Sequence, residues 1–233
     1  MKQNSDGSPN TSRNTSNTRR MFRISSLERS AEALLEAAFP DGLSIPIDVD
    51  YVAEAYLNLE IIPIPGLEAN YSVWGSFWKT AEGQYRLIID QDVMDDKPNL
   101  YRFTLGEEIA HYVLHRSHFA EVEDVKQACQ VQKELQADLH HMERNAKWFS
   151  SAILMPSQVV RDEANRTYGT LVSHVGYGDT DAIVKKLAGL LARQFRVSPQ
   201  AMRIRMDNHP CKVTEAVERA VTGHHADLWE ERC

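Results

Sequence analysis

The sequence predicts an α+β fold in which a small, mostly antiparallel sheet lies beside a helical majority. Three short runs, LEIIPIP, YSVWGSFW and QYRLIID, are rich in β-branched or aromatic residues and are bounded by Gly, Pro or Asp, as strands are. Almost all of the chain after residue 99 carries the apolar spacing of amphipathic helices instead. Strands gathered in one part of a chain and helices in the rest are typical of the α+β class.

The composition excludes several classes of protein. Of 233 residues, 42% are hydrophobic and 25% are charged, which rules out a wholly disordered or collagen-like chain. The formal net charge of −7 argues against a general polyanion binder. No apolar run approaches the roughly 20 residues of a membrane span, so no membrane association is expected. The three cysteines are scattered and form no CxxC pair, which indicates a reducing, cytoplasmic location and no cysteine zinc site.

Four segments are predicted along the chain. Residues 1–24 form a disordered tail, because their first twenty positions hold eleven Ser, Thr or Asn residues and one apolar residue. Residues 25–178 form the main domain. Residues 179–210 form a C-terminal helical pair, and residues 211–233, which carry little pattern, form a second tail.

The main domain begins with two helices. SSLERSAEALLEAAFPDG is an amphipathic helix that ends before Pro40 and Gly42. IPIDVDYVAEAYL gives an extended entry and then a helix capped by Asp48 or Asp50. The three strands follow, and after them come a helix, NLYRFTLGEEIAHYVLH, and a single longer helix, VKQACQVQKELQADLHHMERNAKWFSSAIL, that ends at Pro156.

The last part of the chain is predicted to be helical as well. SQVVRDEANRTYG is a short helix, and residues 170–179 form a loop that contains glycine. Ser198 and Pro199 mark the start of the second helix of the C-terminal pair. Basic residues make a DNA-reading helix-turn-helix one interpretation of this pair. The acidic chain favours a hairpin that packs on the main domain or recognises a protein partner, so direct DNA binding is not expected.

One helix carries side chains suited to metal chemistry. Glu107 and His111 are four residues apart, so they lie about one turn apart on the same face and can reach one ion. Glu108 is placed to take a proton from a metal-activated water, as the glutamate does in the His-Glu-x-x-His motif of zinc peptidases. The alternative to a metal site is that Glu107 and Glu108 belong to a solvent-exposed acidic face of the helix. However, Glu107, His111 and His115 follow one stripe of an apolar helix, which is unfavourable to bury without a partner.

With these residues, the chain resembles the ImmA/IrrE family of bacterial metallopeptidases. The resemblance rests on four segments in order within residues 25–156: IPIDVDYVAEAYLNLEIIPIPG, YRLIID, RFTLGEEIAHYVLH and MERNAKWFSSAILMP. It implies a zincin-like metallopeptidase domain that is cytoplasmic and holds one divalent metal ion. It also implies proteolysis of a regulatory protein of the helix-turn-helix repressor type.

The resemblance implies a third, acidic ligand on the later helix, in a pattern that maps onto Glu143, Ala146 and Phe149. Some members carry the acid directly before the alanine, where this chain has Asn145. The two positions lie about 200° apart around a helix, so they cannot both face the ion. A carboxylate binds a divalent ion better than an amide does, which favours Glu143. His141, on the same flank as Asn145, is a further alternative.

Glu107 stands where the family motif has its first histidine. A shell of Glu107, His111 and Glu143 leaves no net charge on a divalent ion, whereas a His, His, Glu shell leaves one positive charge, so we expect weaker activation of water. Zinc is the first choice of metal, and the added oxygen ligand makes manganese or iron an alternative. Two functions follow. One is a metal-dependent endopeptidase with Glu108 as general base, and the other is a catalytically weakened interaction module that binds a transcriptional regulator.

Two further roles are hypotheses from the sequence. An imidazole or phenol is needed to stabilise the oxyanion of the reaction, and Tyr112, His115 and His118 are candidates. The YRLIID strand is a candidate for aligning an extended substrate by strand addition.

Overall fold

Three strands pair in the order β1-β3-β2, and eleven helices surround or extend this sheet in the part of the chain that the structure describes. The structure is a computed structural model that describes residues 22–80, 83–119, 122, 124–138 and 140–229. The strands are β1 (Glu60–Ile64), β2 (Gly75–Lys79) and β3 (Tyr85–Asp90). The helices are α1 (Ile24–Ala38), α2 (Val49–Tyr51, continued by a π-helical turn at Val52–Tyr56), α3 (Leu67–Tyr71), α4 (Gln91–Asp96), α5 (Pro98–His115, continued by a 3-10 turn at Arg116–Phe119), α6 (Val125–Asp138), α7 (His140–Leu154), α8 (Ser157–Val175), α9 (Thr180–Phe195), α10 (Pro199–Asp207) and α11 (Val213–Gly223).

The α+β class is confirmed, but the sheet is mixed instead of mostly antiparallel. Strands β2 and β3 are antiparallel, with Phe77 opposite Leu87, whereas β1 and β3 are parallel, with Ile62 opposite Ile88. The reason is that β3 inserts between the other two strands. As the central strand, β3 has both edges paired, so the hypothesis that YRLIID accepts a substrate by strand addition is wrong.

The first helices follow the sequence prediction. Helix α1 ends at Ala38, before Pro40, and buries one apolar stripe against the core. Asp48 is the cap of α2, because its Oδ1 accepts a hydrogen bond of 2.9 Å from the Tyr51 backbone N–H. Most of the N-terminal segment that we predict to be disordered, residues 1–21, lies outside the described residues.

The prediction of one long helix before Pro156 is wrong, because two helices, α6 and α7, occupy this segment. The Gln132 side chain of α6 donates a 3.3 Å hydrogen bond to Glu143 of α7. In a continuous helix these residues would be about 16 Å apart. The axis of α7 therefore makes a sharp angle with that of α6. This bend brings Gln132 close to Glu143.

The end of the chain is more ordered than we expect from its sequence. Helix α8 continues through Gly169 to Val175, and part of the predicted tail at 211–233 is the helix α11. The buried residues of α11 recur at helical spacing and join the same core as the rest of the molecule; they are Val213, Ala216, Val217, Ala220 and Val221. Among the described residues, no helix has both the length and the apolar composition to cross a membrane.

Helices α5 and α7 approach closely because the contact is made by small residues. A Cβ atom added at Gly106 would lie 2.4 Å from Oγ and 3.2 Å from Cβ of Ser150. That hydroxyl is already engaged, since it donates a 3.0 Å hydrogen bond to the Phe103 carbonyl. Ala146, one turn away on α7, is fully buried. Ala146 and Ser150 are therefore the small side chains that let α5 and α7 pack closely together.

We expect Gly106→Ala to lower the free energy of unfolding by about 1–3 kcal/mol, because the added methyl group forces Ser150 away from α5. Gly189 on α9 is the matched control, since a Cβ there would meet no atom within 4 Å. Gly189→Ala should raise the free energy of unfolding by about 1 kcal/mol through helix propensity alone. Urea denaturation measures both changes. Equal effects of the two substitutions would contradict the close approach.

Candidate active site

Helix α5 is buried although it carries several ionisable side chains. Glu108, His111 and His115 are 2%, 0% and 4% exposed, and Glu107 is half-buried. Strand β2 packs directly over Glu108, because a Cβ at Gly75 would lie 3.0 Å from the Glu108 Cγ. Strand β2 and helix α7 both pack against α5. The ionisable side chains of α5 therefore lie on buried faces, where apolar residues are usual.

The structure brings His111 of α5 and Glu143 of α7 into contact. The His111 Nε2 atom lies 3.2 Å from Oε1 of Glu143, and both side chains are buried. Gln132 of α6 donates to the same carboxylate oxygen at 3.3 Å. Three helices therefore converge on Glu143. Sequence reasoning selected His111 and Glu143 but missed Gln132, since its approach depends on the bend between α6 and α7.

His115 contacts the other side of the His111 ring. The Nδ1 atoms of the two rings lie 3.1 Å apart. A hydrogen bond at this distance needs a proton on one of the two nitrogens. When the Nδ1–H of His111 donates, the lone pair of its Nε2 is directed toward Glu143, as a metal ligand requires. His115 is therefore placed to orient His111.

The carboxyl groups of Glu107 and Glu108 favour the neutral form. The pKa of Glu107 is raised to about 8, chiefly by burial; Lys147 opposes this rise and the nearby Glu143 adds to it. Burial also raises the pKa of Glu108 well above its usual range, and the charges of Glu143 and Glu107 add to this effect. Carboxylates that repel one another in a buried place are stabilised by a cation among them.

The donor set fits a divalent cation, as the resemblance implies. Two ligands bound at about 2.1 Å to one tetrahedral ion are roughly 3.4 Å apart, and the contact between His111 and Glu143 is close to that spacing. An imidazole and two carboxylates are also ordinary ligands of such ions. Within the ranges that the structure describes, however, no three His, Cys, Asp or Glu side chains close around a common point. Glu107 lies near His111 and Glu143, but the three side chains do not meet at one point.

The alternative third ligands face away from His111. Asn145 and His141 are each two residues from Glu143, which places them about 200° around α7 from it. Asn145 is 2% exposed, and its Nδ2 atom has no hydrogen-bond partner among the described residues. The contact with His111 is therefore made by Glu143 and not from the opposite flank of the helix.

The candidates for stabilising an oxyanion differ in their surroundings. His115 is engaged with His111. The Tyr112 ring belongs to an aromatic cluster, 5.1 Å from the Tyr85 ring and 6.2 Å from the Phe77 ring. The side chain of His118 lies outside the described part of the chain. Of the two candidates whose side chains the structure describes, His115 is the one that directly contacts a proposed ligand of the cation.

We expect Glu107→Gln to stabilise the metal-free protein at alkaline pH. The folded-state pKa of about 8 lies above the ordinary value of 4.5, so folding binds a proton between these values and stability falls as pH rises from about 4.5 to 8. A glutamine at this position has no such cost, so the variant should be more stable by up to about 5 kcal/mol at pH 9 and equal near pH 4. Thermal unfolding in EDTA at both values measures this difference. A pH-independent difference would contradict the shift.

The chain matches a known protein family over more than half of its length. Residues 69–207, which are 139 of the 233 residues, match the family model Peptidase_M78, described as the IrrE N-terminal-like domain. The match extends from α3 to the end of α10, so it includes both Glu107 and Glu143 and crosses the boundary predicted between residues 178 and 179. No curated protein gives a significant match to the chain.

Proposed function

Because the chain belongs to the Peptidase_M78 family, the family of the IrrE N-terminal-like domain, we propose that it is a metal-dependent endopeptidase. The observation that carries this proposal is the buried contact of 3.2 Å between His111 and Glu143, with two more carboxyl groups beside it. The shared burial of one imidazole and three carboxyls is unfavourable unless a cation binds among them.

The chain's own residues divide into holding and proton-transfer groups. His111, Glu143 and Glu107 would hold the cation, and His115 orients His111. When bound, a divalent cation polarises the scissile carbonyl and lowers the pKa of the attacking water. Glu108 takes the proton of that water and then delivers it to the leaving amine, so its carboxyl ends the cycle as it began.

The glutamate at position 107 sets the metal preference that we propose. With two carboxylates and one imidazole, the ligand set neutralises a divalent cation, and its oxygen content suits manganese or iron as well as zinc. The raised pKa of Glu107, about 8, makes cation binding compete with protons near neutral pH. Affinity should therefore rise with pH between about 6 and 8.

We propose a regulatory protein of the helix-turn-helix repressor type as the substrate, and the cytoplasm as the location. The substrate class comes from the family resemblance of the sequence. The location is supported by Cys129 and Cys211, which are both buried and free, as thiols of a reducing compartment are.

Metal binding by the full chain tests the proposal. After treatment with EDTA, the protein should bind one equivalent of Zn²⁺, Mn²⁺ or Fe²⁺ in separate calorimetric titrations. His111→Ala and Glu143→Ala should each weaken this binding by about 100-fold, since each removes a ligand. His174→Ala and Glu134→Ala, at exposed positions on α8 and α6, are the matched controls. Absence of stoichiometric binding, or equal losses in the controls, would overturn the assignment of the site.

A further inference from the structure

A groove runs along helix α10, between that helix and helices α5 and α7. It consists of a cavity of about 720 Å³ and an adjoining one of about 570 Å³. The two cavities share Phe103, Ala201 and Ile204 as walls, so they form one continuous depression, called here the α10 groove. Helix α10 lines it from Ser198 to Asn208, about 15 Å, which is the length of a segment of roughly five extended residues.

One end of the α10 groove reaches the candidate active site. Glu143 lines this end together with Trp74, which directly precedes β2. The same carboxylate contacts His111. A polypeptide lying in the groove would therefore pass beside the groups that we propose to hold the cation.

The central strand of the sheet offers no edge to an extended substrate, because β3 is paired on both sides. Helix α6 packs against β2, where the Ser76 hydroxyl donates a 3.1 Å hydrogen bond to the Ala128 carbonyl. The α10 groove lies outside this sheet and is open along its length.

The walls of the α10 groove expose large apolar side chains. Ile204 is 55% exposed and Trp74 is 42% exposed, and Phe103 and Trp148 are half-buried beside them. Single exposed apolar residues are common, but several that line one concave surface mark a binding site.

One end of the α10 groove carries exposed basic side chains. Arg144 and Lys147 lie on α7 at the end nearest the site, and both are exposed. The other two Lys or Arg residues of the lining are paired with carboxylates, since Arg205 binds Glu28 and Lys97 lies 3.8 Å from Glu68. The acidic residue of the lining, Glu143, contacts His111 and Gln132. This end of the groove therefore complements negative charge on its occupant.

We propose that the α10 groove binds the polypeptide substrate and selects segments that combine large apolar side chains with acidic ones. This inference rests on the proposed peptidase function of the same site. Apolar side chains of the substrate fill the space between Phe103 and Ile204. Its carboxylates lie near Arg144 and Lys147, which places the adjoining peptide bond beside Glu143.

Binding to a full chain that carries Glu108→Gln tests this proposal without turnover. The probes are two fluorescein-labelled peptides with the same Leu and Phe content, one containing Glu and the other Lys at the remaining positions, and a single-stranded oligonucleotide. Fluorescence anisotropy should give a dissociation constant about tenfold lower for the Glu peptide than for the Lys peptide. Ile204→Glu and Lys147→Glu should each weaken binding of the Glu peptide about tenfold.

The matched controls replace the same residue types outside the groove. Ile24→Glu changes an isoleucine on α1 that is 44% exposed, and Lys185→Glu changes an exposed lysine on α9. Both should leave the dissociation constant unchanged. Equal binding of the two peptides, tighter binding of the oligonucleotide, or equal losses in the control variants would overturn the proposal.

The two proposals fail in different ways. If the Glu peptide binds through Ile204 but the parent chain cleaves nothing, the groove stands and the peptidase function is wrong. If the parent chain cleaves peptides while Ile204→Glu changes neither affinity nor KM, the groove is wrong and the peptidase function stands.

Discussion

Replacing Glu108 by Gln is expected to lower kcat by about 10²–10⁴-fold while the fold is retained. Glutamine keeps the shape of the side chain that packs against Gly75 but cannot accept a proton. The Glu108 Oε2 atom is buried and has no hydrogen-bond partner in the ranges that the structure describes, so the substitution removes no such bond from a neighbour. Single-turnover cleavage of a mixed peptide library, followed by mass spectrometry at equal metal content, measures the loss.

The control for this prediction is Glu134→Gln on α6. Glu134 is exposed and accepts a hydrogen bond from Gln130. We propose no role for it in proton transfer. We expect its kcat and its Tm to equal those of the parent chain. A Glu108→Gln protein with full kcat would show that the general base is a different group.

The second large effect is expected from Arg205→Met, which should lower the free energy of unfolding by about 3–5 kcal/mol. The Arg205 guanidinium binds both carboxylate oxygens of Glu28, at 2.6 and 2.8 Å, and its Nε–H donates to the Met155 carbonyl at 2.9 Å. The Arg205 side chain is buried and that of Glu28 is 13% exposed. Removal of the arginine leaves the Glu28 carboxylate with the Trp148 indole N–H as its remaining described donor, at 2.6 Å. Urea denaturation measures the change.

An exposed ion pair on the same helix serves as the comparison. Arg203 and Asp207 lie 3.0 Å apart at the surface, so Arg203→Met should cost less than about 1 kcal/mol. The double substitution Arg205→Met with Glu28→Gln should recover part of the loss, because the uncompensated carboxylate is gone. If Arg205→Met were no more destabilising than Arg203→Met, the buried pair would not stabilise the fold.

Local rules predict the helix starts and helix α5 well. The caps at Asp48 and Ser198 are confirmed, since each accepts a hydrogen bond from a backbone N–H of the first turn. The spacing of Glu107, Glu108 and His111 places them on one helix, and that helix exists. These features depend on residues within one or two turns of each other, which the sequence records directly.

Features that depend on distant contacts were not predictable in the same way. The bend between α6 and α7 has no glycine or proline to mark it, so the periodicity of the segment indicates one helix. The meeting of Gln132 with Glu143, and of His115 with His111 in a defined orientation, follows from tertiary packing. Helix α11 is different, because the helical spacing of Val213, Ala216 and Val217 was visible in the sequence and was overlooked.

The bond between Glu28 and Arg205 joins residues that are 177 positions apart. During translation, α1 leaves the ribosome long before Arg205 has been synthesised. The nascent chain therefore carries Glu28 before the arginine that pairs with it is available. Arg205 also lines the α10 groove. The groove that we propose to bind the substrate is therefore completed only after most of the sequence has been synthesised.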